Sequence, residues 1–196
     1  MKKVKFILPG IFMVFIFTSK LNAQITNAEK ESLKHMYEEE KLAYDVYSFL
    51  SDRYDLFVFQ NISKSEKYHM SLVENLLKDF GIRYKVNPAG VFENEELQEL
   101  YNRLIEDGSR DLISALTVGA TIEDVDIYDL EKYIKEVENE KIKKVYEMLK
   151  CGSGNHMRAF SRQLKIHKTV YTPQFISQEK YQSILNSEHK RCFNQN

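Results

Sequence analysis

The sequence of 196 residues has few of the residues that interrupt helices, with three Pro and seven Gly. This scarcity excludes a collagen-like or low-complexity chain, and it favours long helices over many short strands. An excess of one charge sign is also missing, since 28 Lys and Arg stand against 29 Asp and Glu. The balance gives no electrostatic basis for nucleic-acid binding, which usually requires a basic domain or stripe. The content of 43% hydrophobic and 29% charged residues indicates a folded domain rather than a disordered chain.

The N-terminal segment 1–23 has the composition of a secretory signal peptide. Several lysines precede a short apolar run, and the small residue Ala23 suits a cleavage site. A membrane anchor is the alternative, but the run of about 12 residues is shorter than the ~20 that span a bilayer. We therefore expect cleavage before Gln24, one mature domain over residues 24–196, no membrane association after cleavage, and export to the periplasm or the medium.

Cysteine is scarce, because Cys151 and Cys192 are the two cysteines of the chain. An oxidising compartment permits a disulfide between them, which would stabilise the fold by roughly 4 kcal/mol through chain entropy. The alternative is two unpaired thiols, which seldom persist outside the cytosol. A nucleophilic pair of Cys151 with His156 is a further alternative, and the disulfide would disable it. We favour the disulfide.

Apolar residues recur at helical spacing along almost the whole mature chain. Thr26 or Asn27 can cap the first helix, and Gly81 can end the second. The pattern predicts helices over residues 28–53, 59–80, 93–106, 109–137, 141–167 and 177–185, with Ser109 as the N-cap of the fourth. Four helices are long, and the connection 82–108 holds a small one. This layout is that of an all-α, four-helix bundle with one long crossover and a short C-terminal helix, as in ferritin-like folds.

Acidic residues and histidines lie near the middle of each long helix. Glu66 and His69 form an E-x-x-H motif on the second helix, where a spacing of three places both side chains on one face. A carboxylate and an imidazole placed in this way can share a metal ion. Carboxylate-bridged metal pairs in bundle cores use a Glu on each of two helices and an E-x-x-H on each of the other two. The candidate ligands are Glu40, Glu66, His69, Glu123, Asp126 and His156.

Each candidate ligand also has a purely structural interpretation. Glu40 lies in a charged run, and such runs usually face water. Glu123 and Asp126 could form a surface pair, and His69 could be a hydrogen-bonded core histidine. Tyr47, close to Glu40 along the first helix, could donate a hydrogen bond to a ligand. Tyr44 has the same two interpretations, and for both tyrosines we favour simple packing, because aromatic residues at helical spacing usually belong to the core.

Two segments carry a resemblance to a known family. Residues 39–47 (EEKLAYDVY) and 61–70 (NISKSEKYHM) resemble an uncharacterised prokaryotic family of the ferritin-like superfamily, the domain of unknown function 2202. The likeness continues through residues 119–127, 155–160 and 171–175 and covers nearly all of the mature chain. The chain is also distantly similar to rubrerythrin and other di-iron carboxylate proteins, whose pattern is Glu, E-x-x-H, Glu, E-x-x-H.

The resemblance assigns roles to the candidate ligands. It implies that Glu40 is the first-helix Glu, Glu66 and His69 the first E-x-x-H, Glu123 the next Glu, Asp126 a further acid and His156 the last histidine. Ser153 stands where the last E-x-x-H would have Glu, so one carboxylate is missing. We hypothesise that Asp126 supplies the missing ligand. Gly152 and Gly154 weaken the helix beside Ser153 and leave room for a local bulge.

The resemblance implies one or two metal ions as cofactors, and iron is the metal that we favour. Manganese and zinc are alternatives, because mixed carboxylate and imidazole ligands suit all three metals. With two irons, the implied chemistry is oxidation of ferrous iron by oxygen or peroxide, with any electron donor a separate molecule. A homodimer is also implied by the pairing of ferritin-like bundles. The alternative function is a non-catalytic bundle that binds metal or a protein partner, which Ser153 favours.

Overall fold

The computed structural model describes residues 25–189 and 191–192, so the predicted signal peptide over residues 1–23 lies outside the described residues. The described residues form six helices and no strand, which confirms the all-helical class. The helices are α1 (Asn27–Tyr54), α2 (Phe57–Asp79), α3 (Glu95–Gly108), α4 (Leu112–Glu136), α5 (Glu140–Ile166) and α6 (Gln178–Asn186). Not one of these six combines the length and hydropathy that crossing a bilayer requires.

The four long helices α1, α2, α4 and α5 pack as a bundle. Each of them contacts two others, in the order α1, α2, α5, α4 and back to α1. The connections 55–56 and 137–139 are so short that α1 with α2, and α4 with α5, form antiparallel pairs. The small helix α3 lies in the long connection and packs against α1 and α4, whereas α6 packs against α5.

The long connection is attached to α1 by a buried ion pair. Lys41 and Asp45, one turn apart on α1, approach to 2.5 Å between Nζ and Oδ2. Lys41 Nζ also donates to the carbonyl of Pro88 at 2.9 Å, and Asp45 accepts from the backbone N–H of Gly90 at 2.9 Å. Both charges therefore have partners, which is what burial of charged side chains requires.

The helix ends agree with the predicted ones to within two residues, except at the start of α4. The prediction of Ser109 as its N-cap is wrong. Asp111 caps α4 with an extended backbone, and its side chain accepts from the N–H of Ser114. Ser109 instead follows the end of α3, where its hydroxyl donates to the carbonyl of Ile105 at 2.6 Å. Asp is as good an N-cap as Ser, so the local sequence did not distinguish the two positions.

The C-terminal segment is held by one buried carboxylate and one disulfide. Asp124, in the middle of α4, accepts from the Tyr171 hydroxyl at 2.8 Å and from the backbone N–H groups of residues 174–176 at 2.6–3.1 Å. The predicted disulfide between Cys151 and Cys192 is confirmed, with the two Cα atoms 5.7 Å apart. These contacts attach the end of the chain to α4 and α5.

Candidate metal centre

Buried acidic and histidine side chains form a polar layer between two apolar clusters. On α1, for example, Leu33 and Met36 belong to one cluster, and Val46 and Leu50 belong to the other. The same change of cluster occurs along α2 and α5. The polar layer consists of Glu40, Glu66, His69, Glu123, Asp126, Ser153 and His156, all of them buried. Every long helix therefore contributes to the layer.

The first ligand group consists of Glu40, Glu66 and His69 and joins α1 and α2. His69 Nδ1 lies 2.6 Å from Glu66 Oε2 and 3.2 Å from Glu40 Oε2. Glu40 Oε1 is buried and has no hydrogen-bond partner among the described residues. Glu40 is 2% exposed, so the interpretation of this residue as part of a solvated charge run is wrong.

The second ligand group consists of Glu66, Glu123 and His156. It joins α2, α4 and α5 and shares Glu66 with the first group. His156 Nδ1 lies 2.8 Å from Glu66 Oε1 and 3.5 Å from Glu123 Oε2. Each oxygen of Glu66 thus faces a different histidine. The rings of His69 and His156 stack with their centroids 5.5 Å apart. Glu123 is 1% exposed, which excludes the surface pair proposed for it and Asp126.

Two hydroxyl groups orient the second ligand group. The Tyr47 hydroxyl donates to Glu123 Oε1 at 2.5 Å and lies 3.1 Å from the carbonyl oxygen of Gly119. Tyr47 is fully buried, so it packs in the core as predicted, but it is also a hydrogen-bond donor to a candidate ligand. Ser65 Oγ lies 3.0 Å from His156 Nε2 and leaves Nδ1 for the carboxylates. Such contacts fix the orientation of metal ligands.

A glycine makes room for His69. Helix α5 is continuous from Glu140 to Ile166, so the bulge considered beside Ser153 is not formed. A Cβ atom at Gly152 would lie 2.6 Å from Cε1 and 2.7 Å from Nε2 of His69. Contacts this short do not occur in real structures, and any side chain at position 152 would displace the imidazole ring.

Asp126 lies in the polar layer but outside both ligand groups. Ser153 Oγ hydrogen-bonds to Asp126 Oδ2 and lies 2.9 Å from the carbonyl oxygen of Leu149. The other carboxylate oxygen of Asp126 is buried without a hydrogen-bond partner in the described part of the chain. Its role as a replacement ligand for the Glu missing at Ser153 stays a prediction.

Burial and neighbouring positive charges shift the pKa values of the carboxyl groups in the layer in opposite directions. Burial raises the pKa of Glu40 to about 7, although the neighbouring His69 opposes the increase. Burial also raises the pKa of Asp126 well above its usual range, and the charge of Glu40 adds to the effect. Burial alone would raise the pKa of Glu66, but His156 and His69 lower it well below its usual range. The two neighbouring histidines therefore favour the ionised form of Glu66.

The two histidines are held in their protonated form when no metal is bound. Burial alone would lower the pKa of His156, but Glu66 and Glu123 raise it to about 10. The pKa of His69 is likewise raised well above its usual range by Glu40 and Glu66, against the effect of burial. Protons on these rings balance part of the negative charge that the carboxylates bring into the core.

The polar layer has the properties of a metal site. It contains four carboxyl groups and two imidazoles, so the carboxylates outnumber the groups that can neutralise them. In each ligand group, every residue offers one donor atom, and these atoms all lie within 4.8 Å of one another. Donors that share a tetrahedral ion lie about 3.3 Å apart, given metal–ligand bonds of 2.0–2.1 Å. Mixed oxygen and nitrogen donors suit iron, manganese and zinc. The residues present therefore fit a metal ion.

The fold and this layer define an all-helical bundle protein with a buried carboxylate–histidine site that could hold metal. The chain belongs to the family described as "Uncharacterized protein domain (DUF2202)", whose model matches residues 29–188. The resemblance inferred from the sequence is confirmed at the level of this family.

One relative is similar to this chain in both sequence and fold. The chain is 49% identical over 172 residues to the uncharacterized protein MJ0754 of Methanocaldococcus jannaschii, covering 87% of this chain and 93% of the relative. It is also similar to the crystal structure of hypothetical protein MJ0754 from Methanococcus jannaschii, with a TM-score of 0.83. That match has 49% identity and covers 85% of this chain and 96% of the other.

Proposed function

We propose that the protein is a ferritin-like bundle that binds one or two transition-metal ions in its polar layer, and that iron is the preferred metal. The observation that carries the proposal is the position of Glu66, whose two oxygens face His69 on one side and His156 on the other. A carboxylate shared in this way between two ligand groups is the arrangement of bridged metal pairs. The ligands proposed are Glu40, Glu66, His69, Glu123 and His156.

The topology supports the ferritin-like assignment. The four long helices close into a ring, and the long connection lies between the second and third of them. Ferritin-like folds combine this single crossover with inward-facing Glu and E-x-x-H ligands. In this chain Glu40 and Glu123 come from α1 and α4, and the E-x-x-H motif comes from α2.

We propose oxidation of ferrous iron by oxygen or peroxide as the activity. Bound iron would supply one-electron chemistry, in which two ferrous ions become ferric while one hydrogen peroxide and two protons give two water molecules. The residues of this chain hold the site: Glu66 stays ionised, Tyr47 orients Glu123, and Ser65 orients His156. The apolar clusters on both sides of the layer exclude water, which strengthens the electrostatic contacts.

A second candidate function is a metal-binding bundle without catalysis. Ser153 favours it, because a serine that hydrogen-bonds to Asp126 stands where a second bridging carboxylate is expected. Manganese or zinc would suit such a site as well as iron does. Addition of ferrous iron and peroxide distinguishes the two functions, since the enzyme turns over many equivalents of iron and the binding module oxidises none beyond its bound ions.

We also propose that the protein is exported. The disulfide between Cys151 and Cys192 supports this proposal, because disulfides are typical of oxidising compartments outside the cytosol. Fractionation of the native cells, with the mature N-terminus read by mass spectrometry, tests the export and the cleavage before Gln24 together.

Metal analysis tests the proposed site. Residues 24–196 are purified without chelator, supplied with iron(II), manganese or zinc, and analysed by elemental mass spectrometry. We expect Glu66→Gln, which removes the shared carboxylate at nearly constant volume, to lower the affinity of the layer by at least about tenfold. The matched control is Glu99→Gln on α3, where the side chain is exposed. A total metal content that is the same in Glu66→Gln as in the control would refute the proposal.

A further inference from the structure

A separate cluster of potential ligands lies between α1 and α4. His35 and Glu39 are one turn apart on α1, and Asp129 faces them from α4. One donor atom from each residue lies within 4.8 Å of the others. The side chains of His35 and Asp129 are 23% and 21% exposed, so this cluster reaches the surface, in contrast to the polar layer. It shares no residue with the two ligand groups of that layer.

Glu39 is the residue of this cluster that indicates a bound cation. Its side chain is 5% exposed. Neither of its carboxylate oxygens has a hydrogen-bond partner among the residues that the structure describes. A buried carboxylate without hydrogen bonds costs free energy, because it has lost its water and gained no substitute. A cation held by Glu39 together with its two neighbours would remove this cost.

The spacing of the donors leaves room for an ion. His35 Nε2 lies 3.5 Å from Glu39 Oε2 and 3.8 Å from Asp129 Oδ2. Both distances exceed the usual length of a hydrogen bond. They are close to the ~3.3 Å expected between two donors that share one tetrahedral ion.

The imidazole of His35 is oriented for this role. Its other nitrogen, Nδ1, lies 3.5 Å from Nδ2 of Asn94, the N-cap of α3. The ring also makes an edge contact with Tyr133, with the centroids 5.9 Å apart. These contacts turn Nε2 towards the two carboxylates. A surface cavity lined by His35, Asn94 and Tyr133, among others, gives access from solvent.

We propose that His35, Glu39 and Asp129 bind one divalent transition-metal ion at a solvent-accessible site between α1 and α4. One imidazole and two carboxylates are ligands that zinc, iron(II) and manganese all accept. Solvent or an added anion completes the coordination at the open side. This site goes beyond the proposed function of the polar layer and does not depend on it.

Zinc binding in a Glu66→Gln background tests the site, because this substitution weakens the polar layer. Equilibrium dialysis followed by elemental analysis measures the equivalents of zinc bound. We expect Glu66→Gln to retain one zinc and Glu66→Gln/His35→Ala to lose it. The control Glu66→Gln/His167→Ala removes the exposed histidine at the C-cap of α5 and should retain the zinc. Asp129→Asn in the same background is expected to weaken zinc binding by at least about tenfold.

Two results would overturn the proposal. One is zinc binding that neither His35→Ala nor Asp129→Asn changes, and the other is a Glu66→Gln protein that binds no zinc at all. Circular dichroism verifies that each variant is folded, and the partial exposure of His35 and Asp129 makes unfolding by these changes unexpected. The proposed function of the polar layer is judged separately, from the metal that Glu66→Gln removes.

Discussion

Three consecutive charged residues on α1 are buried, and each of them faces a different neighbour. Glu39 lies beside His35 and Asp129, Glu40 faces His69, and Lys41 pairs with Asp45 under the long connection. Consecutive residues on a helix point about 100° apart, so burial of all three requires neighbours on three sides. The local sequence predicts a solvated run because it carries no information about those neighbours.

The positions of the candidate ligands in the polar layer were predictable from sequence, but most of the residues that contact them were not. Glu40, Glu66, His69, Glu123 and His156 followed from helical spacing and from the family pattern, and the structure brings all five together. Ser65 and Gly152 support the histidines, but a serine or glycine in a helix has no signal of its own. Their roles depend on side chains that reach them from another helix.

Replacement of Gly152 by alanine tests how closely α5 approaches His69. The new Cβ would overlap the imidazole, so we expect a loss of about 1–3 kcal/mol in the free energy of unfolding of the metal-free protein. Displacement of His69 should also lower metal affinity by at least about tenfold. Urea denaturation and metal titration measure the two effects.

Gly154, two residues further along the same helix, provides the matched control. An added Cβ there meets nothing closer than 4.0 Å. Gly154→Ala should therefore stabilise the protein by up to about 1 kcal/mol through helix propensity alone and leave metal binding unchanged. Equal effects of the two substitutions would contradict the role assigned to Gly152.

At the scale of the elements, local signals located the helices well. Capping residues and periodicity placed every helix end within two residues except the start of α4. Thr26 forms a full capping box with Glu29, which is the signal expected from a Thr three residues before a Glu. The exception arose because Ser109 and Asp111 are both good N-cap residues, so capping preference alone does not distinguish the two positions.

The attachment of the C-terminal segment shows what element-level signals miss. Asp124 follows Glu123 of the polar layer on α4, and no local pattern in the sequence indicates a role for it. In the structure it accepts hydrogen bonds from Tyr171 and from the backbone of residues 174–176. A contact between residues about 50 positions apart cannot be inferred from periodicity, because periodicity reports only on local structure.

At the scale of the whole molecule, the polar layer divides the core into two apolar clusters. Burial of five carboxyl groups in and beside this layer opposes folding, because buried charges are costly unless they are paired. The disulfide offsets part of this cost, since the closure of a loop of 41 residues is worth roughly 4 kcal/mol in the chain-entropy model. Metal binding would remove much of the remainder.

The stability of the metal-free protein should fall as pH rises from about 5.5 to about 8.5. The pKa of Glu39 is raised by burial to about 8 and that of Glu40 to about 7, so the folded state holds protons that the unfolded state releases. The raised pKa of His156 acts in the same direction, because its stabilisation is complete below the unfolded value near 6.5 and is lost towards 10. Thermal unfolding in the presence of chelator should show a decrease in Tm of at least about 3 °C, equivalent to about 1 kcal/mol.

Bound metal should reverse this dependence on pH. Metal ligation needs neutral histidines and ionised carboxylates, so affinity increases as the protons leave. Zinc added at the higher pH should therefore raise Tm more than zinc added at the lower pH. A metal-free protein whose Tm is constant or increases across this range would contradict the protonation states assigned to the layer.

Anomalous diffraction from crystals of residues 24–196 grown with iron(II) or zinc measures directly where metal binds. We expect a peak within bonding distance of Glu66, with His69 or His156 as a further ligand, and no such peak in crystals of Glu66→Gln. Two peaks on either side of Glu66 would identify it as a bridge, whereas one peak would show that Ser153 leaves a mononuclear site. Crystals that show metal only at the surface, with none beside Glu66, would contradict a metal centre in the core.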